Sequence, residues 1–211
     1  MNAAPSKAAQ PASVAVWDPA VRVSHWLLVA LFAVVYVTAE EEGSTNAIHV
    51  WGGYAIGAIV VLRILWGFVG PQYARFSSFV CGPAAALRYL VELVSGHARR
   101  YLGHSPAGGA MVIALLVFLA ATVATGVVAY GERGQGPLAA HGAAVVTRAK
   151  AEEGSEGKKE KESLVGEAHG ALANITLGLV ILHVLGVGLA SYAHRENLVA
   201  AMVSGKKRAA E

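Results

Sequence analysis

The sequence predicts an all-α membrane protein built as a bundle of four membrane-spanning helices. Of its 211 residues, 55% are hydrophobic and only 15% are charged, with a mean hydropathy of +0.49. Ordinary globular domains carry about 25% charged residues. Four apolar stretches are long enough, at about 20 residues or more, to cross a bilayer as one helix. The predicted spans lie in one domain over residues 17–208, at about 19–39, 47–69, 106–130 and 166–192.

Several classes of protein and site are excluded by composition. Cys81 is the only cysteine, so the chain forms no internal disulfide and no cysteine-based metal cluster. There is no CxxCH motif for covalent haem attachment. The net charge of +3 is modest, and nothing indicates a nucleic-acid partner. Residues 1–16 are small and polar without an apolar core, which predicts a flexible cytoplasmic tail rather than a signal peptide.

The first and third spans begin with the same local signal. Asp18 precedes Pro19, and Ser105 precedes Pro106, so each pair places a helix-capping side chain before a proline at the first helical position. The third span contains no histidine, acid or base in its apolar part. Its small residues allow close approach to neighbouring helices, which predicts a packing helix; they include Gly108, Gly109 and Gly126.

The connections between the spans are polar and unequal in length. In residues 70–105, apolar residues at helical spacing predict a short interfacial amphipathic helix; they are Leu87, Leu90, Val91 and Val94. His97 and His104 lie in this basic segment and are interpreted as surface histidines. The loop from 131 to 165 contains a charged, low-complexity insertion at about 149–163, which has too little apolar surface to fold alone.

The distribution of lysine and arginine predicts the orientation. Four spans place both termini on one side of the membrane. The first outer loop carries no lysine or arginine, and the six in the second are accompanied by six acids. The termini and the segment between the second and third spans hold most of the remaining basic residues, so both termini are predicted to be cytoplasmic.

Four histidines fall into two pairs by depth. His169 and His183 are 14 residues apart in the fourth span, so they share one helix face and are separated by about 21 Å along the axis. His49 lies near the start of the second span, which runs in the same direction, so it matches the outer depth of His169. His25 lies near the start of the first span, which runs the opposite way, so it matches the inner depth of His183.

Ionisable residues inside a membrane are costly and indicate function. Two pairs of facing neutral imidazoles are typical of axial ligands to two haem irons in a helical bundle. Two haems about 20 Å apart would carry electrons across much of a hydrocarbon core of about 30 Å. The alternatives are that some of these histidines only pack, or that the chain is a passive anchor or a metal transporter; the last two predict a colourless protein.

The same residues carry a family resemblance. The sequence resembles the bacterial cytochrome b561 family, which includes the membrane cytochrome b subunits of nickel-iron hydrogenases. The matching stretches run from residue 17 to residue 208, and the charged insertion at about 149–163 departs from the family. They include WDPAVRVSHW, NAIHVWGGY, LRILWGFVGPQYARFSSF, RYLGHSPAGGAMV, GPLA, EAHGALAN, LHVLGV and HRENLVAAMVSGKKR.

The resemblance implies a four-helix bundle with two b-type haems in the bacterial inner membrane. It implies His25, His49, His169 and His183 as axial ligands, as the depth argument also does. It further implies electron transfer between a periplasmic partner, either a c-type cytochrome or an oxidoreductase subunit such as a dehydrogenase or hydrogenase, and the membrane quinone pool. The chain is therefore interpreted as an electron-transfer subunit rather than as a stand-alone enzyme.

Three further polar residues are candidates for cofactor contacts. Arg63, near the far end of the second span, either extends to the membrane interface or meets a haem propionate. His104 and His194 are candidates for a quinone or propionate contact because they are polar and near the inner side. His194 lies 11 residues past His183 on the same helix face, although an interfacial residue at a helix end is the alternative interpretation.

A second function is a superoxide:quinone oxidoreductase, which small members of the family perform. Superoxide is an anion, and positive potential would steer it to the outer face. The first outer loop instead carries the glutamates Glu40, Glu41 and Glu42, which disfavours this function.

Overall fold

The computed structural model describes residues 13–39, 44–139 and 164–209. It contains four long helices, each long and apolar enough to cross a membrane, which confirms the predicted all-α, four-span fold. The charged insertion at 149–163 and residues 1–12 lie outside the described residues. The four helices are α1 (Pro19–Val37), α2 (Ser44–Val69), α4 (Pro106–Glu132) and α5 (Leu164–Ala193).

The predicted capping signals are confirmed. The Asp18 carboxylate accepts hydrogen bonds from the backbone N–H groups of Ala20 at 3.0 Å and Val21 at 3.2 Å, so it satisfies two donors that the first turn of α1 leaves free. The indole N–H of Trp66 donates to the same oxygen at 3.2 Å. The Ser105 hydroxyl accepts from the Gly108 N–H at 3.2 Å at the start of α4.

The helix ends differ by a few residues from the predicted spans. α1 ends at Val37 rather than at residue 39, and α2 begins at Ser44 rather than at residue 47. Hydropathy marks where the apolar run begins and ends, whereas the backbone helix depends on its hydrogen bonds. The first turn of α2 is polar, so the helix begins before the apolar span, which starts at Asn46, one residue from its predicted start.

Shorter elements complete the described chain. Two 3₁₀ turns, Gln72–Ala74 and Phe76–Ser78, precede α3 (Pro83–Val94), which is the predicted interfacial helix. α3 buries Ala86, Tyr89 and Leu93. A seven-residue helix, α6 (Leu198–Ser204), follows α5 and is capped by the Asn197 side chain.

A small sheet corrects the predicted extent of the N-terminal tail. The sequence predicts a tail that runs to residue 16, but β1 (Ser13–Ala15) pairs antiparallel with β2 (Lys206–Arg208), with Val14 opposite Lys207. The Val16 side chain that follows β1 is buried. The partners lie at opposite ends of the sequence, and such a pairing leaves no local periodicity to detect.

The described chain divides into two compact units. Unit 1 contains the segments up to Val23, from Trp66 to Ala110 and from His183 onward. Unit 2 contains Ser24–Leu65 and Met111–Leu182. The predicted histidine ligands are therefore distributed over both units.

Candidate cofactor site

Unit 2 brings together two of the four predicted histidines. His49 lies in α2 and His169 lies in α5, and both side chains are half-buried. Their ring centroids are 6.1 Å apart, and the ring planes are nearly perpendicular, at 86°. Two imidazoles 120 residues apart in sequence therefore face each other inside the apolar part of the protein.

One ring nitrogen of each histidine is bonded to a backbone carbonyl. Nδ1 of His49 lies 2.9 Å from the carbonyl oxygen of Val35, and Nδ1 of His169 lies 2.9 Å from that of Thr122. A carbonyl only accepts, so each Nδ1 carries the proton and donates it. A neutral imidazole protonated at Nδ1 has its free lone pair on Nε2. Metal-ligating histidines are held in this way in most metal sites.

The carbonyl of Val35 is available for a structural reason. Val35 lies in the last turn of α1, where helix carbonyls have no partner further along the helix. The hydroxyl of Thr38 also donates to it, at 3.3 Å. His49 thus satisfies a helix-end acceptor and is fixed in orientation by the same bond.

α4 supplies the support for His169, although its sequence contains no predicted functional residue. A Cβ built on Gly126 would lie 2.9 Å from Cε1 of His169 and 3.1 Å from its Nδ1, so only glycine lets the ring approach here. Gly126 follows Thr122 by four residues, and its missing side chain leaves the Thr122 carbonyl accessible. The Thr125 hydroxyl lies 3.5 Å from the same Nδ1.

The prediction of α4 as a packing helix named Gly126 for close approach but missed the supporting roles of Thr122 and Thr125. Thr125 and Gly126 follow Thr122 by three and four residues, so both lie near its face of the helix. This spacing was the available signal. It is weak alone, because threonine and glycine at such spacing are common wherever membrane helices pack closely.

The residues present fit a haem with two axial histidines. Metal–nitrogen bonds of about 2 Å, as in zinc–histidine sites, bring two opposed imidazole centroids to about 6 Å, and the observed separation is 6.1 Å. Both donor nitrogens are of the type that haem iron takes. Among the described residues, no three His, Cys, Asp or Glu side chains cluster in a way that could hold a metal ion.

The other two predicted ligands fall in different units. His25 is half-buried in unit 2, and its ring packs edge-on against Trp26 at a centroid distance of 5.2 Å. His183 is half-buried in α5, 14 residues after His169. Their pairing stays a prediction from sequence and depth.

Two other predicted positions differ sharply in burial. Arg63 is only 8% exposed in unit 2. His97 is exposed, with its Nδ1 lying 3.4 Å from the Ser95 hydroxyl, so it is a surface histidine as predicted.

His104 is not the surface histidine that the basic segment predicted. Its ring is half-buried in unit 1 between two aromatic rings, at centroid distances of 4.7 Å from Trp17 and 4.4 Å from Phe79. The two rings come from segments distant in sequence, so the local basic composition did not reveal this packing.

His194 forms a hydrogen bond that the sequence did not predict. Its Nε2 lies 3.1 Å from the hydroxyl of Tyr89 on α3. Burial lowers the pKa of His194, and the nearby cations Lys207 and Arg100 lower it further. Burial also raises the pKa of the Tyr89 phenol. Both groups are therefore neutral near pH 7.

A buried charge cluster lies beside His194 in unit 1. It consists of Arg100, Glu196 and Lys207. Arg100 donates two hydrogen bonds to the Glu196 carboxylate, at 2.7 and 3.2 Å, and the Lys207 ammonium lies 3.5 Å from that carboxylate. Lys207 also donates to the carbonyl of Tyr101 at 2.8 Å.

The charge cluster is unusually well shielded from solvent. The Glu196 and Lys207 side chains are 7% and 5% exposed. Burial lowers the pKa of Lys207. Burial acts to raise the pKa of Glu196, but the bond from Arg100 and the charge of Lys207 outweigh it, so the pKa of Glu196 is lowered. The sequence indicated only a basic C-terminal end here.

Comparison with known proteins points to one family. The model of the prokaryotic cytochrome b561 family matches residues 16–205. A protein of Bradyrhizobium diazoefficiens named as a probable Ni/Fe-hydrogenase B-type cytochrome subunit is 26% identical. That match covers 59% of this chain and 60% of the relative, so the chain spans less than two thirds of the relative's length. No solved structure matches the chain.

Proposed function

Because the chain belongs to the prokaryotic cytochrome b561 family, we propose that it is a di-haem electron-transfer subunit of the bacterial inner membrane. In this proposal electrons pass between a periplasmic redox partner and membrane quinone. The family match and the four apolar helices indicate a multi-pass membrane protein, and they support b-type haem binding and electron transfer. The haem count, the ligands, the partners and the orientation belong to the proposal.

The observation that carries the proposal is the His49–His169 pair. Two imidazoles with Nδ1 bonded to backbone carbonyls, with ring centroids 6.1 Å apart, present two ligand nitrogens of the same kind. These two residues would hold one haem. When bound, that haem would supply reversible one-electron chemistry, and ligation by both His49 and His169 would favour electron transfer over oxygen binding.

The second haem is assigned to His25 and His183. The support is their shared depth in helices of opposite direction, together with the family resemblance. Arg63 is the candidate contact for a haem propionate, since it is a cationic side chain near the far end of an apolar span and is only 8% exposed.

The protein's own contribution is to hold these rings in place. Both Nδ1–H···O bonds use backbone carbonyls, which remain uncharged and cannot exchange protons. The bonds fix the tautomer and ring orientation and raise the basicity of Nε2. The apolar helices around the rings restrict water, which affects the redox potential of a bound haem.

The name of the relative supports the proposed partner at the outer face. A Ni/Fe-hydrogenase B-type cytochrome subunit suggests an oxidoreductase subunit, and a c-type cytochrome is the other candidate. Quinone is proposed as the partner on the same side of the membrane as His194. His104 belongs to the same unit 1.

Haem quantitation tests the cofactor assignment. The purified full-length chain should give low-spin b-type bands in a reduced-minus-oxidised spectrum, with two haems per chain. His169→Ala and His183→Ala should each retain one haem. His97→Ala changes an exposed histidine and should retain two. One haem in the wild type would mean that one pair is structural, and none would refute the assignment.

The single cysteine offers a test of orientation. Cys81 is exposed and lies in the segment between α2 and α4, which the positive-inside rule assigns to the cytoplasm together with both termini. A membrane-impermeant thiol reagent should label it in inverted vesicles and leave it unlabelled in intact spheroplasts. The reverse pattern would overturn the orientation, whatever the haem content.

A further inference from the structure

α3 presents three different faces. The first face carries Ala86, Tyr89 and Leu93, which are buried within unit 1. Leu87, Val91 and Val94 are 64–77% exposed and lie on a second face, which suits an apolar membrane surface. The third face carries Arg88 and Glu92, an ion pair at 4.0 Å that is open to water.

A cavity lies on each side of this helix. The polar cavity has a volume of about 260 Å³, and its lining includes Arg88, Tyr89, Glu92, Arg99 and Tyr101. The apolar groove has a volume of about 590 Å³, within the usual range for small-molecule sites. Its lining includes Leu93, Val94, Leu189, Tyr192, Ala193 and Arg195.

One hydrogen bond links a residue that lines the polar cavity to a residue that lies, in sequence, between two that line the apolar groove. The Tyr89 side chain lines the polar cavity, and its hydroxyl lies 3.1 Å from Nε2 of His194. The residues on either side of His194, Ala193 and Arg195, line the apolar groove. Tyr89 is only 4% exposed, so this contact is shielded from competing water.

We propose that the apolar groove takes a quinone ring, and that Tyr89 and His194 carry protons between it and the polar cavity. This inference rests on the proposed exchange of electrons with quinone. Conversion of a quinone to its hydroquinone consumes two electrons, from the cytochrome, and two protons, from water. The reverse reaction releases both. Electrons can arrive through an apolar medium, but protons need a chain of exchangeable groups.

The groove has the composition that a membrane quinone requires. Leu93, Val94 and Leu189 provide apolar contact for the ring and tail. Arg195 and Ser191 add polar groups to the lining. Tyr192 is 85% exposed, as expected of an aromatic side chain at a membrane interface.

The surroundings favour neutral partners in this pair. His194 faces Tyr89 of α3, Lys207 of β2, Arg100 and Glu196, and its carbonyl accepts from Arg208. Tyr89 faces Tyr101, Glu92 and Ser105. The pKa of His194 is lowered and that of Tyr89 is raised, so both groups rest uncharged, and the bond joins two side chains that carry exchangeable protons.

The first test compares two acceptors in the haem-loaded, full-length protein. The cytochrome is reduced and then mixed either with decylubiquinone, which needs protons, or with ferricyanide, which needs none. Tyr89→Phe and His194→Gln should slow oxidation by decylubiquinone at least about tenfold, since acid–base groups contribute about 10²-fold or more. Oxidation by ferricyanide should stay at the wild-type rate.

Tyr101→Phe is the matched control. Tyr101 lines the same polar cavity and packs on Tyr89 at 5.8 Å, but its backbone carbonyl, not its hydroxyl, makes the bond to Lys207. This variant should keep both rates. Equal loss in Tyr89→Phe and Tyr101→Phe, or parallel loss with ferricyanide, would overturn the proton path.

The second test measures binding rather than electron transfer. An azidoquinone photolabel should attach to peptides from 189–195 or 93–96, as mapped by mass spectrometry. Leu189→Trp should fill the groove and reduce the labelling severalfold. Leu185→Trp alters an exposed leucine one turn earlier, outside the groove lining, and should not. Labelling confined to other segments would overturn the site.

The two levels of the proposal fail differently. If the wild type passes electrons to no quinone, the proposed quinone function fails. If the wild type does so and Tyr89→Phe matches Tyr101→Phe, quinone exchange stands and the Tyr89–His194 path is wrong.

Discussion

The histidines of the two units are held by different kinds of partner. In unit 2, His49 and His169 donate to the backbone carbonyls of Val35 and Thr122. In unit 1, His194 shares a hydrogen bond with the Tyr89 hydroxyl and lies beside the charge cluster. A carbonyl fixes a ring and exchanges nothing, whereas a phenol can pass a proton on. The proposed roles differ in the same way, with ligation by His49 and His169 in unit 2 and proton exchange by His194 in unit 1.

The polar content of the two units differs in the same way. The described hydrogen bonds that hold His49 and His169 in unit 2 join uncharged groups. Unit 1 contains a buried carboxylate with two cationic partners, Arg100 and Lys207. Substitutions in each unit test this difference. Their expected effects range from the loss of a haem to a few tenths of a kcal/mol.

The largest effect is expected at Gly126. Gly126→Val would place side-chain atoms where the ring of His169 now lies, since even a Cβ would come within 2.9 Å of Cε1. Haem content should fall from two to one per chain, as for His169→Ala. Gly178→Val on α5 adds its Cβ where no neighbouring atom lies within 4 Å, and it should keep both haems. Equal haem content in the two variants would mean that α4 does not support haem binding at His169.

The charge cluster should dominate the stability of unit 1. Glu196→Ala leaves the Lys207 ammonium buried beside Arg100 without its carboxylate, which should cost about 3–5 kcal/mol of unfolding free energy. Glu92→Ala breaks the exposed pair with Arg88 and should cost about 0.3–0.5 kcal/mol. Thermal and denaturant unfolding in detergent measures both. Similar losses in the two variants would mean that the cluster is not shielded in solution.

His194 should make stability depend on pH. Because its folded pKa lies below its ordinary value of 6.5, the unfolded chain binds more protons between those two pKa values, so stability falls as the pH drops below 6.5. The lowered pKa of Glu196 adds a loss in the same direction below its ordinary value of 4.5.

His194→Gln should reduce the loss of stability below pH 6.5, which is measured as melting temperature against pH. His97→Gln, at an exposed histidine, should keep the wild-type slope. An unchanged slope in His194→Gln would assign the pH dependence to another group.

Apart from the control variants, the smallest effect is expected from an uncharged pair in unit 2. The Tyr36 hydroxyl donates to the Asn174 side chain at 2.7 Å, between α1 and α5. Hydrogen bonds between membrane helices average about 0.6 kcal/mol, so Tyr36→Phe should lower stability by about that amount. Tyr192→Phe, at a tyrosine with 85% exposure, is the control. A loss above about 2 kcal/mol, well beyond that average, would mean that uncharged pairs in unit 2 matter as much as the charge cluster.

Much of this protein was determined by its sequence alone. Hydrocarbon excludes charged residues, so the four helices appear directly as apolar runs. Asp18 and Ser105 mark two helix starts because capping acts over three residues. His49 and His169 were predicted as a pair because helix direction and position fix depth, and the structure brings their rings together.

The groups that contact these side chains became known only from the tertiary structure. The Val35 and Thr122 carbonyls support the histidines, and a backbone carbonyl is present at every position and carries no sequence signal. The β1–β2 pairing, the burial of Lys207 and the Tyr89–His194 bond depend on residues that are distant in the sequence. Their energies depend on distance and desolvation in the folded chain, which no local pattern of residues specifies.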